Sequence, residues 1–372
     1  PEGYYVYAQA GGIVGSTAEA SIESCTADFG GSLLVPKGGE ATCNAGIVCG
    51  NSGSSITDCT AKFTGDASIE SNGTISFGGA VGSLSGVGEC AVSLVSTEMG
   101  GTVKIAQGDE YSDVHVGGVF GSASNATASA CDALLSGDIE ISSNVADGTT
   151  NVNVGGVCGK SGMLTAGCHA EWTESAHVKI ASDRSNFGGV TGLTQAESNY
   201  AFLVGCYALC NGRVEIEPKN GTDYTANAGG IAGTLANSTI AGCTVKAKNI
   251  YGHNASSPSL IGVSGIAAYV VGVSSVSDCK AYATLIRNST VLGTEDASVT
   301  PDNLFGMGMI VGIDAGTTTV TNCGVGGSFY LGASEKPQEL ILTLDADSYA
   351  KGIIGSGKTA TVGGCYYWNG EK

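Results

Sequence analysis

The stretch GGIVGSTAEASIESCTA, from Gly11 to Ala27, contains the two features that decide the fold. It opens with a Gly-Gly-apolar-apolar-Gly phrase. Ten residues after the last Gly of that phrase it reaches Cys25, within an apolar-x-x-Cys-x-Ala segment. Both features recur through the chain, and self-similarity at a fixed interval is the signature of a repeat protein.

The glycine phrase occurs in seven close copies and three weaker ones. The close copies are 11–15, 46–50, 78–82, 117–121, 155–159, 188–192 and 229–233, and the weaker ones are 264–268, 308–312 and 351–355. One cysteine follows each copy after 8 to 14 residues. This series comprises Cys25, Cys59, Cys90, Cys131, Cys168, Cys206, Cys243, Cys279, Cys323 and Cys365. The 340 residues between its first and last members divide into nine steps, a period of about 38.

Around each cysteine of the series, apolar residues alternate with polar ones. A further alternating run often follows, as in Val103-Lys104-Ile105 and Val178-Lys179-Ile180. Alternation with a period of two predicts half-buried strands. Each repeat therefore offers about three short strands, joined by turns rich in Gly, Ser and Asn.

One such repeat cannot bury its apolar face alone, whereas stacked repeats share a continuous core. We therefore predict an all-β chain in which residues 1–372 form a single right-handed parallel β-helix (β-solenoid) of about ten coils, with about 38 residues per coil. The chain begins Pro1-Glu2-Gly3 without an initiator Met. We expect it to be excised from a longer precursor.

Stacking places like residues above one another, which predicts two structural rows. The ten cysteines form the first row, and unpaired buried thiols are favoured over disulfides between adjacent coils because in-register side chains point the same way. The second row lies six residues before the last Gly of each phrase and comprises Gln9, Asn44, Ser76, His115, Asn153, Asn186 and Asn227. We interpret its amides, Asn44, Asn153, Asn186 and Asn227, as a structural hydrogen-bonded ladder rather than a ligand-binding row.

The glycine phrase followed by apolar-x-x-Cys-x-Ala resembles the GLUG-motif repeat of large bacterial surface proteins. The copy from Gly11 to Ala27 is the clearest, and the ending Cys365-Tyr366-Tyr367-Trp368-Asn369 is similar to the way such arrays finish. The resemblance implies a secreted or cell-surface solenoid, often attached to other modules. It transfers no catalytic residue, because the motif contains none.

Composition excludes several classes of function. The 16 Lys and Arg against 34 Asp and Glu give a formal net charge of -18, which repels nucleic acid. No apolar run is long enough to predict a membrane helix. No metal-ligand spacing such as Cys-x-x-Cys occurs, and we expect no metal and no cofactor. The stretch Gly352–Thr359 matches a P-loop by its letters, but a β-like run follows it in place of the required helix.

The sequence thus favours a non-enzymatic solenoid that is secreted or lies at the cell surface: a structural or adhesive monomer that presents loops to a glycan or a host surface protein. The alternative is a carbohydrate-active β-helix enzyme, either a glycoside hydrolase or a polysaccharide lyase, with a groove near Trp172. The polar residues that would face its ligand are His169, Glu171, Trp172, Glu174, His177, Asp183 and Arg184. None of them is assigned a catalytic role.

Overall fold

The computed structural model confirms a parallel β-solenoid. It describes residues 6–36, 41–108, 112–143, 150–195, 200–217, 225–254, 260–289, 306–332, 338–340, 352–357 and 360–371. Strands make up about 70% of the structure, and one turn takes about 36 residues, close to the predicted 38. Among the described residues, no helix is both long and apolar enough to cross a membrane.

Two of the four sheets, which we name A and D, contain the first and the last strand of each coil in chain order. Sheet A precedes the phrase, and its nine strands are Val6–Gly11, Ala41–Gly46, Ile75–Gly78, Val114–Gly117, Asn151–Gly155, Arg184–Gly188, Thr225–Gly229, Leu260–Ser264 and Met307–Gly308. Sheet D closes the coil, and its six strands are Ser32–Val35, Asp66–Ser71, Thr102–Gln107, Asp138–Ser143, His177–Ala181 and Arg213–Glu217.

Sheet B follows the glycine phrase and has two columns, each with ten strand segments. Two long strands, Val81–Ser93 and Phe120–Ser129, contribute a segment to both columns. The first column comprises Val14–Thr17, Cys49–Ser52, Val81–Ser93, Phe120–Ser129, Cys158–Ser161, Thr191–Gln195, Ala232–Ala236, Ala267–Val271, Val311–Asp314 and Ile354–Gly357. The second comprises Ile22–Glu23, Ile56–Thr57, the ends of Val81–Ser93 and Phe120–Ser129, then Leu164–Ala166, Ala201–Val204, Ser238–Ala241, Val273–Ser277, Thr317–Thr321 and Thr361–Gly363.

Sheet C begins directly after the cysteine position of each coil. Its parallel strands are Thr26–Phe29, Thr60–Phe63, Ser96–Met99, Asp132–Leu135, His169–Trp172, Tyr207–Cys210, Thr244–Asn254, Lys280–Ser289, Gly324–Gly332 and Tyr366–Tyr367, and Gln338–Leu340 adds one antiparallel strand. A complete coil thus has five strand segments in the order A, B, B, C, D. The sequence predicted about three, because it did not resolve the strands on either side of the glycine phrase.

The glycine phrase, together with the strands that flank it, forms a tight connection that we call the glycine arc. Sheet A is buried on both faces, as Ile75, Ser76 and Phe77 show. One face lies against the core and the other against sheet B. A Cβ on Gly82 would lie 2.4 Å from the backbone nitrogen of Ala45 and 2.4 Å from the carbonyl oxygen of Gly50. The last Gly of the phrase is therefore needed for the close approach of two backbones.

Between sheets B and C the chain turns at a position that we call the cysteine corner. The residue before each row position has a positive φ, between 50° and 66°, in all ten coils. Four of these residues are Gly and the others are Ser24, Asp58, Leu94, Ala130, Asp278 and Asn322. All ten are exposed. The left-handed conformation turns the next side chain inward, which explains why the residue after the corner is buried in eight coils and half-buried at the two ends.

Candidate functional site

Trp172, the centre of the predicted sugar platform, lies in the core. It is 2% exposed, its Nε1 donates a hydrogen bond to the carbonyl oxygen of Gly189 at 3.1 Å, and its ring contacts Phe187 at a centroid distance of 5.1 Å. The prediction that Trp172 faces a ligand is therefore wrong. Strand alternation explains its position, because the fourth residue after the row cysteine points inward like the second.

The neighbours of Trp172 that do reach the surface form pairs with other coils. His169 and Glu171 lie on the outer face of sheet C, where His169 Nδ1 is 3.6 Å from Asp132 Oδ1. Glu174 lies past the end of that strand, and its Oε1 accepts a hydrogen bond from Lys248 at 2.9 Å. This hydrogen bond lowers the pKa of Glu174. The first contact joins adjacent coils, and the second joins coils that are two steps apart.

The remaining three predicted residues lie farther around the coil. His177 begins a strand of sheet D, with its Nε2 3.6 Å from Glu215 Oε2. Asp183 is buried in the turn that leads to sheet A, and Arg184 is exposed at the start of the next strand of sheet A. The seven predicted residues therefore occupy three sheets and two turns, and the structure does not bring them together as one site.

A groove of about 350 Å³ runs across the outer face of sheet D. Its outward-facing residues come from four successive coils and are Ser68, Glu70, Lys104, Ala106, Glu140, Ser142, Lys179 and Ala181. Ala106, Ser142 and Ala181 stand in register and form a floor of small side chains. At ~4.8 Å per coil, this floor is about 10 Å long.

Longer charged side chains form one wall of the groove. Lys104, Glu140 and Lys179 stand in register on adjacent strands. Lys104 Nζ is 3.3 Å from Glu140 Oε2, and Lys179 Nζ is 3.4 Å from Glu217 Oε2. Because these side chains are half-exposed, the ion pairs contribute little to stability and remain open to a ligand. The wall offers both hydrogen-bond donors and acceptors.

Sequence reasoning recognised the strands of this groove but missed the groove itself. The runs around Lys104, Glu140 and Lys179 read as alternating strands, which indicates that these side chains point outward. Whether these three side chains become neighbours depends on the register between adjacent strands. The sequence does not give that register, because the number of residues per coil varies. The one available signal was the recurrence of a charge at the centre of each run.

From His115 to Asn227, the polar row of sheet A is a chain of buried hydrogen bonds. Asn186 Nδ2 donates to Asn153 Oδ1 at 2.8 Å, and Asn227 Nδ2 donates to Asn186 Oδ1 at 2.9 Å. Thr234 Oγ1, on the facing strand of sheet B, also donates to Asn186 Oδ1, at 2.6 Å. These amides therefore connect successive coils and also fasten sheet A to sheet B.

His115 continues this row in the fourth coil. Its Nδ1 lies 3.1 Å from Asn153 Nδ2. If the Asn153 amide donates this hydrogen bond, Nδ1 is the acceptor, and the neutral ring carries its proton on Nε2. Burial lowers the pKa of His115 to about 4; Asp113 opposes this shift and Lys160 adds to it. The ring is thus neutral at pH 7, as the hydrogen bond requires.

The cysteine row is as predicted in nine of its ten coils. In the third coil, Val95 takes the position between Cys59 and Cys131, because Ser96 pairs with Thr60 and Asp132. Cys90 pairs instead with Ala126 after a shift of register within its long strand, so its assignment to the row is corrected. All 14 cysteines lie in described segments, and none forms a disulfide.

Two further sequence features can now be located. Ile354–Gly357, from the stretch that matches a P-loop, is a strand of sheet B paired with Val311–Asp314. Lys358 and Thr359 lie outside the described residues. Within the described ranges, no three His, Cys, Asp or Glu side chains are grouped so as to hold a metal ion.

No protein-family model matches the chain, and no significant match was found among the curated proteins or the solved structures.

Proposed function

We propose that this chain is a non-catalytic, extracellular β-solenoid module of a bacterial surface protein, and that it binds a neutral glycan along the groove of sheet D. The groove itself carries the proposal. Its small-residue floor admits an extended ligand, and its wall of alternating Lys and Glu provides donors and acceptors for hydroxyl groups. The resemblance to GLUG-motif repeats supports the surface location.

The charge of the chain selects among glycans. With a formal net charge of -18, the field around the protein opposes the approach of acidic polysaccharides. Within the groove, Lys104 and Lys179 are each paired with a carboxylate, which leaves little unbalanced positive charge to attract an anion. A neutral, hydroxyl-rich chain is therefore the ligand class that the groove fits best.

The test is a glycan-array screen of the chain, followed by affinity measurements on the neutral glycans that bind. The double variant Lys104→Ala/Lys179→Ala removes the cationic part of the wall, and we expect its affinity to fall at least about 10-fold. The matched control is Lys62→Ala, because Lys62 forms a similar half-exposed ion pair with Glu98 on sheet C. Its affinity is expected to remain unchanged.

Two outcomes would contradict this proposal. One is the absence of any bound glycan, and the other is an equal loss of affinity in the control variant. Incubation of each bound glycan with the chain, followed by analysis of the products, distinguishes binding from turnover. Cleavage of the glycan would favour the enzyme alternative.

A further inference from the structure

The cysteine row contains seven thiols in consecutive coils. They are Cys131, Cys168, Cys206, Cys243, Cys279, Cys323 and Cys365, and the residues that follow them pair strand to strand without a break. Each thiol donates a hydrogen bond to the carbonyl oxygen of the residue two positions before it, at 3.1 to 3.7 Å. The first six are at most 1% exposed. The row is therefore a buried line of sulfur atoms.

The repeat distance of the row determines what chemistry it supports. In-register parallel strands place equivalent atoms ~4.8 Å apart. A disulfide needs its two Cβ atoms about 3.5–4.5 Å apart, so neighbouring coils would have to shift to form one. A cation bound linearly between two thiolates, with bonds of about 2.3 Å, separates the sulfur atoms by about 4.6 Å. The row matches the second distance.

In three consecutive coils within the row, the cysteine corner has no side chain. The corner residues before Cys168, Cys206 and Cys243 are glycines, Gly167, Gly205 and Gly242, and all three are exposed. No atom lies within 4 Å of where a Cβ would stand on Gly167 or Gly205, and the nearest to Gly242 is 3.9 Å away. A side chain could therefore be added at each of these three corners without meeting a neighbouring atom closer than 3.9 Å.

We propose that Cys168, Cys206 and Cys243 form a binding site for a soft, two-coordinate cation of the Hg(II) class. One ion lies between two neighbouring sulfur atoms, and as its two metal–sulfur bonds form, two thiol protons pass to solvent. A divalent ion leaves no net charge in the core, whereas Ag(I) leaves one negative charge and binds more weakly. Zn(II) requires four ligands in a tetrahedral arrangement, which the row does not provide.

The experiment titrates the reduced chain with Hg(II), with Zn(II) and Ag(I) in parallel, and measures proton release and the mercury X-ray absorption spectrum. We expect two protons released per ion and a shell of two sulfur atoms at about 2.3 Å. Hg(II) should bind at least 100-fold more tightly than Zn(II). A shell of three or more ligands, or equal affinity for Zn(II), would overturn the proposal.

Variants locate the site. Cys168→Ala/Cys206→Ala/Cys243→Ala should slow binding of the first ion at least 100-fold. The control Cys43→Ala should leave it unchanged, because Cys43 is a buried thiol of sheet A whose in-register neighbours are Ala8 and Ile75. This location would be refuted if the triple variant bound its first ion as the parent chain does. It would also be refuted if Cys25→Ala or Cys365→Ala, at the ends of the row, abolished binding of the first ion.

A fifth variant tests the route of entry without removing a thiol, and it provides the test if the triple variant does not fold. Gly205→Leu adds at this corner the side chain that Leu94 carries at the equivalent corner, where φ is 54°. The rate of Hg(II) binding should fall at least 10-fold, with the same sulfur shell at equilibrium. An unchanged rate would show that the ion does not enter through the glycine corners.

Discussion

The glycine arc and the cysteine corner both repeat once per coil, yet they tolerate substitution very differently. The last position of the arc is Gly in nine of ten coils, with Ala268 as the exception. The cysteine corner accepts six residue types at its left-handed position, and Val95 replaces the cysteine in the third coil. The arc is held by backbone contact and directional hydrogen bonds, whereas the corner mainly requires an inward side chain of suitable size.

The eighth coil shows that the glycine arc has no room for an additional side-chain atom between its two facing strands. Where Ala268 replaces the last Gly of the phrase, Gly262 replaces the amide of the polar row. A Cβ on Gly262 would lie 2.3 Å from the carbonyl oxygen of Ala268. The methyl group gained on one strand is thus accompanied by a side chain lost on the facing strand.

The sharpest test of this contrast introduces the same methyl group into each region. Gly82→Ala forces a Cβ against two backbones, and we expect it to destabilise the fold by about 4 kcal/mol or more. Gly167→Ala has open space around the new Cβ and bears only the left-handed strain of about 1 kcal/mol. Thermal unfolding followed by circular dichroism measures both. Similar losses in the two variants would contradict the distinction.

Removing the central side chain of each row should give the next largest difference. Asn186→Leu removes the hydrogen bonds that Asn186 forms with Asn153, Asn227 and Thr234, and we expect a loss of about 3 kcal/mol. Cys206→Ala removes one sulfur atom from a buried apolar contact and should cost about 1 kcal/mol. Urea unfolding of the two variants beside the parent chain gives the comparison. If Cys206→Ala proved the more damaging, the thiol row would be the stronger of the two connections.

The two regions also differ in how well the sequence predicts them. The glycine phrase and the alternation around the cysteines were sufficient for the solenoid, because like residues stack in any parallel repeat. Cys90 was misplaced because the interval from phrase to cysteine varies, and the structure absorbs that variation through a register shift within Val81–Ser93. The burial of Trp172 could have been predicted from the alternation in the sheet C strand His169–Trp172, since every second residue after Cys168 points inward.

The groove on sheet D marks the limit of that reasoning. Alternation indicates which side chains leave the core, but it does not indicate which of them become neighbours. Lys104 and Glu140 are 36 residues apart, and Glu140 and Lys179 are 39 apart. Because the intervals differ, their alignment follows only from the observed pairing of the strands.

Acid should weaken the glycine arc through His115 while leaving the thiol row unaffected. The folded-state pKa of about 4 lies below the ordinary value of 6.5, so the unfolded chain binds the proton more readily. The stability that His115 contributes is therefore present above pH 6.5 and is lost as the pH falls toward 4, by no more than about 3 kcal/mol. Urea unfolding between pH 7 and pH 4 measures this loss.

The control for this titration is His115→Asn, which keeps an amide in the row and removes the ionisable group. Two charged groups act on the ring, Asp113 and Lys160, and both remain in the variant. The loss of stability between pH 6.5 and pH 4 should be smaller in His115→Asn than in the parent chain. Identical pH dependences would exclude His115 as the source.

The smallest expected effect is a gain in stability at the cysteine corner. Leu94 holds a φ of 54° and is 59% exposed, so its side chain adds backbone strain with little burial in return. Leu94→Gly removes that strain at the cost of greater freedom in the unfolded chain, and we expect a net gain of about 0.5 kcal/mol. The midpoint of thermal unfolding should rise slightly. A fall would show that the exposed leucine makes a contact that stabilises the corner, and the left-handed position would then be more selective than its six residue types indicate.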